Sequence, residues 1–146
     1  MTEPMRATAE STDNIHIVES FLDALQNEDF EAVESALDDD LIYENVGFSR
    51  VRGGRRTAKL LRKMQGRIGF EVKIHRIAAD GAAVLTERTD VLILGRFRVQ
   101  FWVCGVFELR DGQITLWRDY FDTLDMLKAT VRGLAGMVIP ALRATL

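Results

Sequence analysis

The sequence contains a single cysteine, two prolines and two histidines among its 146 residues. One cysteine cannot form an internal disulfide, and Cys104 lies in the apolar run 101–107, where cysteine usually acts as a small buried hydrophobe. The two histidines, His16 and His75, fall on separate predicted elements without the spacing of a metal site. The sequence therefore predicts no disulfide framework, no thiol nucleophile and no metal centre.

Long apolar runs are also missing. The most apolar stretch, 133–142, has about half the length that a bilayer-spanning helix needs, so we interpret it as a packing helix or a lid over a pocket. Residues 1–14 are polar and lack the apolar core of a secretory signal. We therefore expect no stable membrane insertion, a cytoplasmic location and a flexible segment at 1–12.

Neither sign of charge dominates, since the formal net charge is only -3. Arg50, Arg52, Arg55 and Arg56 lie close together and could bind phosphate, but no interleaved aromatics or nucleic-acid motif accompany them. We therefore expect no nucleic-acid partner. The hydrophobic fraction of 47% and the charged fraction of 28% are typical of a globular chain, and the length fits one domain over 1–146.

Apolar periodicity divides the chain into a helical first half and an extended second half. Helices are predicted over 13–26, 29–37 and 57–65, with one strand over 41–46. Four segments then read as strands, and two of their junctions are Asp-Gly turns that favour tight hairpins: 70–79, 83–94, 98–110 and 114–121. This order predicts an α+β fold in which helices cover the concave face of a curved, mostly antiparallel sheet, a half-barrel with a deep interior.

Several polar residues share strand faces with large apolar ones. Residues two apart on a strand point the same way, which pairs Arg88 with Asp90 and Tyr43 with Asn45, and sets Asp119 among apolar neighbours. A simple ion pair, a solvated strand end and a satisfied core hydroxyl are the structural alternatives. Burying two carboxylates, a guanidinium, a phenol and an amide is nevertheless costly, which favours a functional interpretation.

Such a set supports acid-base chemistry. Two carboxylates held in different protonation states can act as general acid and general base at one pH, and an Arg between them donates hydrogen bonds to both. An amide and a phenol near one carboxylate could hold a water molecule. Since neither a nucleotide-binding glycine pattern nor a metal cluster is present, the sequence predicts a reaction without a cofactor.

The sequence resembles the limonene-1,2-epoxide hydrolases, small curved-sheet domains of the nuclear-transport-factor-2-like superfamily, cone-shaped α+β folds. The resemblance rests on Tyr43-Glu44-Asn45, on Glu87-Arg88-Thr89-Asp90-Val91-Leu92, and on a third segment. That segment runs from Gly105-Val106-Phe107 through Asp111-Gly112 to Trp117-Arg118-Asp119-Tyr120-Phe121-Asp122. No motif after Asp122 matches.

The resemblance implies a role for each polar residue. Asp119, Tyr43 and Asn45 would bind and activate the hydrolytic water, Asp90 would protonate the epoxide oxygen, and Arg88 would bridge the two aspartates. Water would attack the epoxide carbon in one step, without an ester to the enzyme, to give a vicinal diol. The implied substrate is a lipophilic epoxide of terpenoid, fatty-acid or sterol type.

The resemblance also implies a homodimer. Trp102, Cys104 and Val106 share one face of their strand, which would be an outward face covered by the partner. The opposite face would line the pocket, and the residues expected to contact substrate are Leu92, Phe101, Val103, Trp117 and Phe121, with Phe107 nearby.

Two other functions fit the same fold class. One is a ketosteroid-isomerase-like enzyme that transfers a proton with one carboxylate base and an oxyanion hole of neutral donors. Arg88 argues against it, because such an oxyanion hole depends on a protonated carboxyl, and a fixed cation beside that carboxyl disfavours the protonated form. The other is a domain that only binds a lipophilic ligand, with the polar set anchoring a ligand hydroxyl.

Overall fold

The structure, a computed structural model, describes residues 3–146, and side chains from residue 8 onward. Four α-helices and six strands make up the fold. The helices are α1 (Glu3–Gln26), α2 (Phe30–Ala36), α3 (Gly54–Arg62) and α4 (Thr123–Val138), followed by a 3-10 turn at Pro140–Leu142. The strands are β1 (Leu37–Asn45), β2 (Ser49–Arg52), β3 (Gly69–Asp80), β4 (Ala83–Leu94), β5 (Phe97–Arg110) and β6 (Gln113–Tyr120).

All six strands form one curved, unclosed sheet in the order β2-β1-β6-β5-β4-β3. Strands β3 to β6 follow one another as antiparallel neighbours, whereas β1 pairs parallel to β6. The α+β half-barrel predicted from the sequence is confirmed, and the sheet is mixed. Because of the parallel pair, β1 lies directly beside the last strand and brings its side chains to those of β6.

The core lies between α1 and the inner face of the sheet. Val18, Phe21 and Leu22 of α1 are buried against Phe107 and Trp117 of the central strands. The ring of Phe21 meets the Trp117 ring edge to face at 5.0 Å, an arrangement that aromatic pairs prefer. This packing fixes the position of Trp117, which also borders the cavity described below.

Helix α4 lies beside β5, where β6 has already ended. Its first turn is capped by Asp122, whose Oδ1 accepts hydrogen bonds from the backbone N–H groups of Leu124 and Asp125. Asp125 in turn accepts a hydrogen bond from the backbone N–H of Trp102 at 3.1 Å. Helix α4 therefore lies against the part of β5 that has no pairing with β6.

The structure differs from the predicted element bounds in several places. Helix α1 begins at Glu3, ahead of the predicted start at residue 13. The flexibility expected for residues 1–12 stays a prediction, and residues 1–2 lie outside the described part of the chain. The acidic run Asp38 to Asp40 belongs to β1, which begins at Leu37 directly after α2. Strand β2 is not predicted, because it is a short edge strand of sequence Ser-Arg-Val-Arg, and charged edges are usual where pairing with another chain is disfavoured.

Two surface predictions can be compared with the structure. Cys104 is exposed, so its interpretation as a buried hydrophobe is wrong for the single chain, because it lies on the outer face of β5 beside Trp102. Within the arginine cluster, Arg50 pairs with Glu44 at 3.3 Å and Arg55 with Asp39 at 3.4 Å. Among the described residues no helix is both long and apolar enough to span a bilayer.

Candidate active site

The strand register brings the predicted polar residues into adjoining rows on the inner face. Asn45 of β1 is level with Asp119 of β6, and Asp119 is opposite Gly105 of β5. Gly105 is in turn opposite Thr86 of β4. Two residues earlier on the same two strands, Tyr43 of β1 is level with Trp117 of β6. The alternation that pairs Tyr43 with Asn45 in the sequence therefore places both beside Asp119.

Arg88 lies at the centre of the site and is completely buried. Its Nε and Nη2 donate to the two carboxylate oxygens of Asp90 at 2.9 and 3.1 Å. Nη2 also lies 2.8 Å from Asp119 Oδ2, and Nη1 donates to the Thr86 hydroxyl at 3.1 Å. The guanidinium is thus held on three sides, and its planar fork matches carboxylate geometry in a way that lysine could not.

Gly105 makes this arrangement possible. Arg88 is on β4 and Asp119 on β6, so the guanidinium must cross the intervening strand β5. A Cβ atom at position 105 would overlap Arg88 Nη1 and stand 2.8 Å from Thr86 Oγ1 and 3.0 Å from Asp119 Oδ1. Only a residue without a side chain leaves room here. A lone glycine inside a long strand is the sequence signal of such a close approach.

The two oxygens of Asp119 have different surroundings. Oδ2 accepts a hydrogen bond from the indole Nε1 of Trp117 at 3.0 Å, in addition to its contact with Arg88. Oδ1 is buried and has no hydrogen-bond partner among the described residues. Since buried carboxylate oxygens normally accept hydrogen bonds, Oδ1 is the oxygen of Asp119 whose capacity to accept is unused by the described residues.

Burial has the largest effect on the pKa values of Asp90 and Asp119. It raises the pKa of Asp90 to about 6, although Arg88 opposes the rise and Asp119 adds to it. Burial likewise raises the pKa of Asp119 against the opposing effects of Arg88 and Trp117. Burial alone would lower the pKa of Arg88, but the two aspartates outweigh it and raise that pKa. Arg88 therefore stays charged between two carboxyls.

One proton balances the charge of this cluster. With both carboxylates ionised the three side chains carry a net charge of -1, and with one protonated they carry none. A buried site favours the neutral arrangement. The geometry therefore supports one carboxylic acid and one carboxylate that share a single guanidinium, and the pair titrates as a unit.

Tyr43 and Asn45 supply neutral polar groups next to Asp119. The Tyr43 ring stacks on Trp117 at a centroid distance of 4.1 Å. Burial raises the pKa of Tyr43 to about 12, while a side-chain hydrogen bond with Asn45 opposes the rise. The phenol is therefore neutral at ordinary pH and can both donate and accept.

A cavity of about 260 Å³ opens onto these groups. Its sheet side carries Tyr43, Asn45, Asp90 and Asp119, and the rest of its wall is almost entirely apolar. The other lining residues are Leu25, Glu28, Phe30, Leu61, Met64, Ile68, Phe70, Leu92, Phe101, Trp117, Phe121 and Met126. An enclosed apolar space with a few convergent polar groups is the usual form of a small-molecule site.

The predicted contact residues divide into two groups. Leu92, Phe101, Trp117 and Phe121 line the cavity. Val103 is buried and belongs to a second core cluster with Val99, Phe101 and Ala129 of α4, and it is not among the lining residues. Lining residues such as Leu25 of α1, Leu61 of α3 and Met64 in the turn after α3 were not predicted, since their helical spacing in the sequence is equally typical of core packing.

The two histidines remain apart. The Nε2 of His75 lies 2.8 Å from the Thr89 hydroxyl, and its ring stacks on Trp102 on the outer face of the sheet. His16 pairs with Glu19 on the exposed side of α1 at 3.4 Å. Within residues 8–146 no group of His, Cys, Asp or Glu has the arrangement of a metal site.

Comparison with known proteins agrees with this geometry. Residues 12–132 match the family described as limonene-1,2-epoxide hydrolase catalytic domain. The chain belongs to the limonene-1,2-epoxide hydrolase family. It is 70% identical over 146 residues to the epoxide hydrolase EphG of Mycobacterium tuberculosis strain H37Rv, with 100% of this chain and 98% of the relative covered.

Solved structures extend the comparison. A limonene-epoxide-hydrolase-like epoxide hydrolase from M. tuberculosis is 73% identical and superimposes with a TM-score of 0.93, covering 94% of this chain and 98% of that one. A polyketide cyclase homologue from Xanthomonas campestris is only 18% identical, with a TM-score of 0.72 over 82% of this chain and 98% of that one. At that identity the likeness shows the fold alone, so it bears on the architecture of the family and not on its chemistry.

Proposed function

We propose that this chain is an epoxide hydrolase that adds water directly to a lipophilic epoxide and releases a vicinal diol. The observation that carries the proposal is the buried Asp90-Arg88-Asp119 cluster at the polar end of an apolar cavity. Membership of the limonene-1,2-epoxide hydrolase family and the 70% identity to a protein named as an epoxide hydrolase support the same reaction.

In the proposed reaction Asp119 is the general base. Its unpartnered Oδ1 accepts a proton from a water molecule that Tyr43 and Asn45 help to hold. The water oxygen attacks an epoxide carbon, and the bond from that carbon to the epoxide oxygen breaks. No bond forms between substrate and protein, so the attacking oxygen comes from solvent in every turnover.

Asp90 is the general acid of the same step. The pKa of about 6 that burial gives it keeps part of the population protonated near neutral pH, which is the state that a proton donor needs. Its proton passes to the epoxide oxygen as the ring opens. The step leaves Asp119 protonated and Asp90 ionised, so the net charge of the cluster is unchanged while Arg88 remains bonded to both. Transfer of one proton back to Asp90 through solvent restores the starting state.

The cavity wall supports a lipophilic substrate. Aromatic and aliphatic side chains from helices and sheet surround the space above the aspartates. Binding an apolar skeleton there removes apolar surface from water and excludes water from the cluster, which strengthens its electrostatic interactions. Terpenoid, fatty-acid and sterol epoxides all have such a skeleton.

We also propose that the chain forms a homodimer through the outer face of the sheet. Trp102 is 53% exposed and Tyr120 43% exposed in the single chain. Cys104 lies two residues from Trp102 on β5 and is opposite Tyr120 of β6. Exposed aromatic groups of this kind are enriched in protein interfaces. A second copy of the chain would cover them.

The test is hydrolysis of a panel of lipophilic epoxides by the purified protein, followed by the same assay with Asp90→Asn and Asp119→Asn. Each variant removes one proton-transfer group and keeps the shape of the site. We expect diol from wild type and a loss of at least about 100-fold in each variant. Near-native turnover in either variant would refute the acid-base assignment. Tight binding of lipophilic compounds with no hydrolysis would instead identify a ligand-binding domain.

A further inference from the structure

Trp117 is in contact with the proposed base through a directed hydrogen bond and not only through packing. Its Nε1 donates to Asp119 Oδ2 at 3.0 Å, and the side chains of both residues are buried. The same oxygen lies 2.8 Å from Arg88 Nη2, whereas Oδ1 has no partner among the described residues. Both donors therefore act on one oxygen of the carboxylate.

The indole cannot easily turn away from this bond. Tyr43 stacks against it at 4.1 Å and 28°, and Phe107 lies nearly parallel to it at 6.3 Å and 12°. Phe21 of α1 meets its edge at 5.0 Å. A ring held by three aromatic neighbours keeps one orientation, so the direction of its N–H group is fixed by the core.

We propose that Trp117 is a positioning residue for the reaction, whose indole N–H, together with Arg88, holds Asp119 Oδ2 and leaves Oδ1 as the oxygen that takes the proton from water. This inference rests on the proposed function. It adds to the site a residue whose other role is to line the apolar wall of the cavity. It also links the base to Tyr43, because the ring that orients Asp119 is the one on which Tyr43 stacks.

The N–H group should also keep Asp119 ionised. A donor to a carboxylate stabilises the charged form, and the bond from Trp117 lowers the pKa of Asp119 against the effect of burial. Because a general base must be ionised, loss of the N–H should raise the pKa of the base. The acidic limb of the pH profile, on which activity falls as the base becomes protonated, should then move to higher pH.

Two replacements of Trp117 test the role of its N–H group separately from that of its aromatic ring. Trp117→Phe keeps an aromatic ring without a donor. Site-specific insertion of β-(3-benzothienyl)alanine at 117 keeps the bicyclic shape and replaces the N–H by sulfur. For both, we expect kcat to fall roughly 10- to 100-fold, the range spanned by one hydrogen bond to a charged group. KM for an accepted epoxide should stay within about twofold of wild type in the benzothienyl variant, which keeps the shape of the cavity wall, as for an interaction that acts on the chemical step.

The pH profile is the readout that simple loss of packing would not change. We expect the acidic limb of kcat to move up by about one pH unit in both variants. Phe121→Leu is the matched control, because Phe121 also lines the cavity, packs against Phe101 and has no N–H group in its side chain to donate to Asp119. It should change KM and leave the limb in place. A Trp117 variant with the wild-type limb and kcat within about twofold of wild type would overturn the inference.

The design distinguishes failure of this inference from failure of the proposed function. Wild type and Asp119→Asn are assayed first and decide whether the chain hydrolyses epoxides through Asp119. Independently of turnover, carboxyl-carbon NMR titration compares the aspartate pair in wild type and in the benzothienyl variant. An apparent pKa of the pair that rises in the variant supports the inference, and an unchanged titration contradicts it even if activity falls.

Discussion

Arg88 reaches Asp119 only because Gly105 lies beneath its guanidinium. The two charged residues are on strands β4 and β6, and the strand between them carries no side chain at the crossing point. The ion pair at 2.8 Å thus depends on a glycine, because a side chain at position 105 would occupy the space of the guanidinium.

Gly105→Ala should damage both stability and turnover. The added methyl overlaps the guanidinium, which must move away from Asp119, and we expect a loss of about 1–3 kcal/mol in the free energy of unfolding, as for overpacked cores. Urea unfolding measures the loss, and the epoxide assay should show at least a tenfold drop in activity, about 1.4 kcal/mol of lost stabilisation.

Gly69→Ala is the control for that substitution. A Cβ at 69 meets Ile93 at an ordinary distance of 3.4 Å, and its backbone is not left-handed. It should leave activity and stability close to wild type. Equal behaviour of the two alanine variants would show that the space above Gly105 is not required.

Asp90→Asn should alter how stability depends on pH. The pKa of Asp90 is raised in the folded chain from its ordinary value of 3.8 to about 6. Such a group contributes stability fully below about pH 4, and this contribution is lost as pH rises through 6. A shift of about two units corresponds to about 3 kcal/mol. The variant lacks the titrating carboxyl, so its free energy of unfolding should rise relative to that of wild type between pH 4 and 7.

Urea unfolding of both proteins across that pH range checks the sign. The difference in free energy of unfolding, variant minus wild type, should increase with pH and level off above about pH 7. Asp29→Asn is the matched control for replacing an aspartate by asparagine, since Asp29 is an exposed N-cap residue outside the Asp90-Arg88-Asp119 cluster. The same unfolding series is measured on it. A flat difference for Asp90→Asn would mean that burial does not raise its pKa.

The pH profile of turnover should have an alkaline limb that reports deprotonation of the general acid Asp90. Because Asp90 must be protonated to donate and its pKa is about 6, kcat/KM should fall as pH rises beyond 6, approaching a tenfold decrease per unit. The measurement is kcat/KM from pH 4.5 to 9 on one accepted epoxide. Activity that stays constant to pH 9 would exclude Asp90 as the proton donor in the free protein.

The outer face of the sheet can be tested by mass in solution. If a second copy covers Trp102, the wild type should have the mass of two chains in light scattering, and Trp102→Glu should shift it towards one. Leu60→Glu is the control, since Leu60 is similarly exposed at 42% but lies on α3. A wild type with the mass of one chain would contradict the proposed dimer.

The sequence was most informative where a pattern is local. Alternation along one strand placed Arg88 beside Asp90, and turn residues bounded the strand Ala83–Leu94 at both ends. The link from Arg88 to Asp119 is not local, because it depends on the order of three strands in the sheet. The family resemblance supplied that link, and the register now accounts for it through Gly105.

Other features could not be predicted for physical reasons. The parallel pairing of β1 with β6 joins segments far apart in the chain, and no turn signal connects them. The helical wall of the cavity shows the same apolar spacing as a packed core, so a stripe that contains Leu61 and Met64 does not distinguish the two. Cys104 was misjudged because apolar neighbours in sequence alternate between two faces of a strand, and only one face is covered in the single chain.

The central claim is that water attacks the epoxide directly while Asp119 takes its proton. A single turnover in water enriched in ¹⁸O, with protein in excess over one accepted epoxide, tests it most directly by mass spectrometry of the diol. Direct attack predicts that the diol of the first turnover carries one ¹⁸O atom. Diol that is unlabelled in the first turnover, with its new oxygen taken from a carboxylate of the protein, would contradict the account.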